Sequence, residues 1–347
     1  MRGLRKYLTP FAPDQSGAVS VLFELGGIVV ICDAGGCTGN VCGFDEPRWF
    51  EQKSAIFSAG LRDMDAILGR DDRLVAKLAD VVQKIDATFV AVIGTPVPAV
   101  IATDYLALKR MSEKKIKLPI LTVDTDGMEL YDKGEEKAFL ELFKIFAIEK
   151  YQAEEDRIGI LGMTPQDVSD LKAADKMREL FQQKYDQQAV CYCMGDGLEE
   201  IKKASSASKN IVVSPAALVA AQYLEKTFGT PYEISYPLAG ELIPEMDYTG
   251  KKILVVHQQA IADSIRRELK ARGAEIVQVA DWFMMKKGLR EEGDVFLRDE
   301  DDYIEVVENG DFDIIFADEC MKRMVPEFGG IFVNTRHFAV SGKLIGK

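Results

Sequence analysis

Short β-branched runs alternate with amphipathic stretches along the whole chain, and that alternation leaves few folds open. "GGIVVIC" (26–32), "ATFVAVIG" (87–94) and "LPILTVD" (118–124) are bounded by glycine, proline or aspartate, as strands are. Between them, "RDDRLVAKLADVVQKID" (70–86) and "PAVIATDYLALKRMSEKK" (98–115) repeat apolar residues at helical spacing. The pattern restarts after the amphipathic "EKAFLELFKIFAIEKYQ" (136–152). Strands are expected at "RIGILGMTP" (157–165), "QAVCYCMG" (188–195) and "NIVVSP" (210–215), with helices near 166–184 and over "AALVAAQYLEKTFG". It restarts again after "MDYTG". "KKILVVH" (251–257), "AEIVQVA" (274–280), the end of "DDYIEVVENGDFDIIFAD" (301–318) and "GGIFVNT" (329–335) read as strands, and 258–273 as a helix.

The expectation is an α/β protein with three Rossmann-like parallel α/β/α domains around a central cleft. The domains divide at 1–134, 135–248 and 249–347, units of the usual domain size in a chain of 347 residues. Such sheets bind ligands beyond the carboxyl ends of their strands, where the strand order reverses. No G-x-G-x-x-G or G-x-x-x-x-G-K-[ST] element is present, so no nucleotide is expected on this chain.

The formal charge of −13, with no lysine- or arginine-rich block, argues against a nucleic-acid partner. No apolar stretch approaches a membrane span. The basic start "MRGLRKYLTPFAPDQSG" lacks the apolar core of a signal peptide, so the expected location is the cytoplasm. There, six cysteines are not a disulfide framework.

Three of the six, Cys32, Cys37 and Cys42, stand at five-residue intervals in "ICDAGGCTGNVCG", straight after the first strand. Backbone N–H groups and a helix start at such a turn are expected to stabilise thiolates. Gly35, Gly36 and Gly39 would let a bulky ligand approach the backbone. The spacing matches neither the commoner zinc patterns nor the ferredoxin runs. Cluster ligation, thiol redox and packing all remain open from spacing alone. Local thiols cannot complete a four-thiolate site in one chain, whereas two chains meeting at the turn could supply four or six.

The order of segments resembles the nitrogenase component 1 superfamily. "PDQSGAVSVLFELGGIVVICDAGGC" (13–37) is similar to that family's first block, with Gly17-Ala18 and Gly36-Cys37 matching and Cys32 at a histidine position. "VAVIGTPVPAVIATDY", "LPILTVDTDGM", "ASSASKNIVVSPAALVAAQYLEKTFGTPY" and "GKKILVVHQQAIADSIRRELKARGAEIVQV" resemble later blocks in the same order. The departures are specific. Pro13 and Thr95 or Pro96 stand where the family carries further cluster cysteines, and Ser214 stands where nitrogenase has a cofactor cysteine. The family's C-terminal cofactor histidine has no secure match, although His337 falls within about a residue of it.

The resemblance implies an electron-relaying reductase component rather than a dinitrogen-reducing subunit. It implies an iron–sulfur cluster, [4Fe-4S] or larger, shared between two chains of a homodimer or of a heterodimer with a sister subunit. It also implies a nitrogenase iron-protein-like ATPase as reductant. Cys37, then Cys42, then Cys32 are the candidate ligands, with Gly36 beside them. His337, Arg336, Ser214 and His257 are candidates for the substrate cleft. A cluster-assembly scaffold or carrier, and a metal-free binding protein of the same architecture, are the alternatives.

Other features have plainer readings. Cys191 and Cys193 alternate in an expected strand and so should share one buried face. "DEDD" (299–302) and "EEGD" (291–294) read as solvated charge runs, and "DTD" (124–126) as a loop that caps the segment after it.

Overall fold

The structure is a computed structural model that describes residues 5–52 and 54–346, so the first four residues of the basic start lie outside it. Its frame is three parallel sheets. The first contains β1 (Ile28–Ile31), β2 (Ala55–Ser58), β3 (Val90–Ile93) and β4 (Ile120–Val123), in the order β2-β1-β3-β4. The second contains β5 (Glu154–Leu161), β6 (Gln188–Cys191), β7 (Ala207–Val212) and β8 (Tyr232–Ile234), in the order β6-β5-β7-β8. In the third, β9 (Lys252–Val256), β10 (Ile276–Asp281), β11 (Val295–Phe296), β12 (Ile314–Ala317) and β13 (Ile331–Asn334) run in the order β11-β10-β9-β12-β13. The paired strands are parallel, with Ile28 opposite both Ala55 and Val90, and Val90 opposite Ile120. The chain lays strands to one side of each unit's first strand and then crosses to the other. Strand order therefore reverses at β1/β3, β5/β7 and β9/β12.

The ten expected strands are all present. Three more, β2, β8 and β11, escaped the sequence reading. Each is a sheet edge with a mixed, half-exposed burial pattern, whereas β1, β3 and β12 are buried throughout. An edge strand is covered on fewer sides and carries no continuous apolar run. Two expected helices are interrupted. The stretch 98–115 divides into Pro96–Val100 and Tyr105–Glu113, with Ala102 at φ 54° between them and Asp104 capping the second through the N–H groups of Leu106 and Ala107. The stretch 166–184 divides at Ser169, φ 56°, into Pro165–Val168 and Ala173–Tyr185.

One helix gives no amphipathic signal. Every residue of Asp14–Leu22 is buried, including Asp14, Gln15, Ser16 and Ser20. It crosses the sixteen-residue helix Tyr131–Phe146 at backbone contact. A Cβ added at Gly17 would lie 1.9 Å from the Tyr131 carbonyl oxygen, and one at Gly134 would lie 1.7 Å from the Asp14 carbonyl oxygen. Glycine on both helices is thus a steric requirement of the crossing. The Asp14 carboxylate holds the same place from the side, accepting the N–H groups of Asp126 (2.9 Å) and Gly127 (2.7 Å) after β4.

Two charge runs are not simply solvated. Glu300 is 4% exposed, and its carboxylate accepts the backbone N–H groups of Lys6, Tyr7 and Leu8 at 2.7, 2.9 and 2.8 Å, tying the N-terminal segment to the third sheet. The Asp294 side chain is buried and pairs with both terminal nitrogens of Arg266 (2.7 and 3.0 Å). At "DTD" the capping role holds, since Asp126 accepts the N–H groups of Met128 and Glu129. Among the described residues no helix is long and apolar enough to cross a membrane.

The crossing makes a direct prediction. Gly17→Ala and Gly134→Ala should each lower unfolding stability by about 3 kcal/mol, because neither backbone carbonyl can retreat. Gly240→Ala, where an added Cβ would meet nothing within 4 Å, should be near neutral in the same denaturant titration.

Candidate functional site

The cysteine turn leaves β1 at the β1/β3 reversal of the first sheet. Cys32 closes the strand with its N–H on the Ile93 carbonyl (2.9 Å), and its own carbonyl accepts the buried Thr95 hydroxyl at 2.6 Å. The Asp33 carboxylate then accepts the Thr38 N–H (2.8 Å), the Thr38 hydroxyl (2.9 Å) and the Ser58 hydroxyl (2.6 Å), which folds Gly36–Asn40 into a short helix. A π-helical turn, Val41–Asp45, carries Cys42.

The exit of the turn is pinned by Arg48, which is 1% exposed. Its guanidinium binds Glu46 in bidentate fashion (2.8 and 2.7 Å), Glu24 (2.8 Å) and the Ser20 carbonyl (2.7 Å). The other oxygen of Glu24 accepts the Gly195 N–H of the second sheet's unit (2.8 Å). One arginine in "DEPRW" thus holds the turn, the buried helix and the neighbouring unit together.

The three thiols are not equivalent. Cys32 is buried in an apolar cluster with Val30, Ala59, Leu74 and Leu108, and burial, then Asp71 and Asp33, push its thiol up to about 12. Cys37 and Cys42 are half-buried and lie against a different cluster, beside Val41. Their thiols also lie above the ordinary value. Burial is the main cause for both, with Asp33 adding at Cys37, and Glu46 and Asp33 adding at Cys42. The expected thiolate stabilisation is outweighed. A backbone N–H does favour the Cys37 thiolate, but desolvation and carboxylates exceed it.

Gly35, Gly36, Gly39 and Gly43 face open space, with nothing within 4 Å of an added Cβ. Ligand bulk can therefore approach Cys37 and Cys42 from that side. Among the described residues no three His, Cys, Asp or Glu side chains are grouped to hold a metal. Cys37 and Cys42 are the two partly exposed thiols of this turn, and Cys32 is closed into the core.

A second centre lies where the carboxyl ends of the second and third sheets meet the helix Tyr131–Phe146. The chain's two histidines stack there, rings 4.2 Å apart and 8° from parallel, both about 2% exposed or less. His257 follows β9 at the β9/β12 reversal. Its Nδ1 accepts the Gln258 N–H (2.9 Å), which leaves Nε2–H to donate to the Arg336 carbonyl (3.1 Å). Burial, and then His337, hold its pKa well below the ordinary histidine value. His337 follows β13 and turns Nε2 towards the Tyr131 hydroxyl (3.4 Å) and Asp167 (3.8 Å). Tyr131 donates to Asp167 at 2.5 Å. Ser214, after β7, is also buried, but its hydroxyl accepts the Ala216 N–H and caps a 3-10 turn. Arg336 meets the centre through its backbone carbonyl.

Sequence reading missed the acids of this centre. Glu135, fully buried, accepts the Thr164 hydroxyl at 2.7 Å, and burial, then Asp167, hold its pKa well above the usual range. Asp281, at the end of β10, accepts the Phe283 N–H and is likewise raised, mainly by burial. Asp132 lines a cavity of about 330 Å³ with Lys133, Phe283 and Met284. Burial outweighs its backbone hydrogen bonds and raises it to about 6. A carboxylate shortly after a strand's end at an order reversal, as in "GMTPQD", was the available signal for Asp167.

The cysteines of the second sheet do not share a face. The strand stops at Cys191, Cys193 adopts φ 70°, and the two side chains pack into separate clusters.

Two outcomes follow from these networks. Arg48→Met should cost about 3–5 kcal/mol in a denaturant titration by stranding Glu46, and Arg48→Lys should not restore the loss because it cannot make the bidentate pair. Asp132 binds its proton more tightly folded than unfolded, so its contribution to stability is complete below pH 4 and is lost as pH rises through 6. Asp132→Asn should flatten that fall, worth about 3 kcal/mol, when unfolding is measured from pH 4 to 8.

Comparison with known proteins places this geometry. No curated protein sequence matches the chain. Among solved structures, "Nitrogenase Cp1 at pH 6.5" is similar with a TM-score of 0.73 at 12% identity, covering 96% of this chain and 87% of that one. "Nitrogenase Cp1 at pH 5" is similar with a TM-score of 0.69 at 15% identity, over 99% and 87%. At such identity the likeness is one of fold. The family model described as "Nitrogenase component 1 type Oxidoreductase" matches residues 14–241, from the buried first helix through the second sheet. The chain belongs to the nitrogenase component 1 type oxidoreductase family.

Proposed function

We propose that this protein is a reductase component that holds an iron–sulfur cluster between two chains and serves a substrate bound where the three sheets converge. The observation that carries the reading is the setting of Cys37 and Cys42. Two half-buried thiols share one turn, beside four glycines open to space, on a face rich in exposed apolar side chains. Phe44, Ile67, Val100 and Met128 are 77%, 74%, 85% and 83% exposed, and they follow β1, β2, β3 and β4 respectively. In a parallel sheet these segments leave the same edge. Exposed apolar groups concentrated in this way mark an interaction surface.

In this reading Cys37 and Cys42 are the ligands of one chain, and Gly36 gives the cluster room. Cys32, closed into the core, is the third candidate. When bound, the cluster supplies single-electron relay from an ATP-dependent iron protein, the partner implied by the family. The chain's own residues exclude water around it, and the Arg48 network holds the turn in place. The work is cytoplasmic and anaerobic in this reading. A homodimer and a heterodimer with a sister subunit both satisfy the ligand count.

A scaffold or carrier role has one observation in its favour. Thiols that are half-exposed and held above their ordinary pKa release a cluster more readily than buried thiolates. Stoichiometric transfer of the cluster to an acceptor without turnover would select it.

The test is iron and acid-labile sulfide in protein prepared without oxygen. Wild type should be a brown, iron-containing dimer. Cys37→Ala and Cys42→Ala should lose nearly all the iron, while Cys32→Ala should keep it and lose stability instead. A wild-type chain that stays colourless and iron-free after reconstitution overturns the reading.

A further inference from the structure

The junction of the sheets holds more buried acid than it has cations to balance. Glu135 comes from the helix Tyr131–Phe146, Asp167 from the segment after β5 and Asp281 from the end of β10, all 0–1% exposed. Each has one carboxyl oxygen in a hydrogen bond. The other oxygen, Oε2 of Glu135 and Oδ2 of Asp167, accepts no hydrogen bond, and Asp281, which the Gln259 N–H also approaches, leaves Oδ2 without a close donor. Asp132 stands beside them on the helix. His337 turns Nε2 towards Asp167 and stacks on His257, which burial and then His337 hold in its neutral form. Asp318, after β12, accepts the His337 N–H at 3.0 Å. Arg48 acts on Glu135 but spends its own hydrogen bonds on Glu46 and Glu24, and Lys133 acts on Asp132.

Ionised carboxylates cannot be left in such a place without water or a counter-charge. A proton on Glu135 or on Asp281 removes the charge and costs no added group.

We propose that this junction is a proton store for the reduction, with Glu135 and Asp281 as neutral carboxyls and the Tyr131–Asp167–His337 set as their outlet to the substrate. The inference rests on the reading of the chain as a reductase component. The balance is simple. Reducing a double bond, X=Y + 2e⁻ + 2H⁺ → HX–YH, takes its electrons from the iron-protein reductant and its protons from carboxyl O–H groups, each of which becomes a carboxylate. Asp132, which lines the 330 Å³ cavity and lies close enough to act on Glu135 and Asp281, takes protons from water there and refills them.

The experiment is an infrared spectrum of the wild-type chain at pH 7, in H₂O and after transfer to D₂O. Bands of protonated carboxyls should appear and shift in D₂O, with one band lost in Glu135→Gln and another in Asp281→Asn. In Asp132→Asn the shift into D₂O should be about a hundredfold slower, a change that a merely structural acid would not show. If the first two variants do not fold, wild type alone decides by potentiometry, releasing about two protons on unfolding at pH 7 as raised carboxyls ionise. No protonated-carboxyl band, no proton release, or exchange unaffected by Asp132→Asn overturns the proposal. Iron content is measured separately, so loss of the cluster reading and loss of the proton store are distinct results.

Discussion

Two helix backbones meet at a contact that only glycine allows. Gly17 and Gly134 let Asp14–Leu22 and Tyr131–Phe146 touch, and much else follows from that contact. With the first helix sunk this far, its Ser20 carbonyl is within reach of Arg48, which fixes the exit of the cysteine turn. With the second helix in the same position, its N-terminal end carries Tyr131, Asp132 and Glu135 to the junction of the sheets. A crossing separated by even one methyl group would move both centres. Interiors packed at this density transmit such a shift instead of absorbing it.

The three sheets repeat one topological device, and each reversal of strand order brings polar or thiol side chains to its edge. The cysteine turn leaves β1 at the first, Asp167 and Ser214 follow β5 and β7 at the second, and His257 and Asp318 follow β9 and β12 at the third. Parallel strands aim their carboxyl ends one way, and the diverging connections leave a crevice there. The first crevice faces outward among exposed apolar side chains. The other two face each other and are closed around the stacked histidines. One chain therefore presents a partly exposed pair of thiols at one reversal and an enclosed cluster of histidines, a tyrosine and acids at the others.

Buried ionic contacts do a different job at each place. Arg48 with Glu46 and Glu24, Arg266 with Asp294, and Glu300 on three backbone N–H groups are fully paired and join segments distant in sequence. The acids at the junction are half-paired. Removing a partner from the first kind is costly, whereas burial at Glu135 and Asp281 favours the neutral acid.

The amino-acid sequence by itself determined the α/β class, the central strands and the family. Buried parallel strands must be continuous apolar runs, and those runs survive in one dimension. It also marked the turn with Cys37 and Cys42, and both histidines. Only the tertiary structure decided the rest. Edge strands β2, β8 and β11 are too partly covered to show a run. Cys32 and Cys37, five residues apart, are assigned to different sides by the turn between them. Glu300 and Asp294 lie in acidic stretches that read as solvent-facing, yet each carboxylate is consumed by a partner remote in sequence. The stacking of His257 on His337, and the meeting of Tyr131 with Asp167, depend on where three sheets come to rest. Local spacing governs the period of an element, but burial and partners between elements are set by packing, which no local window contains.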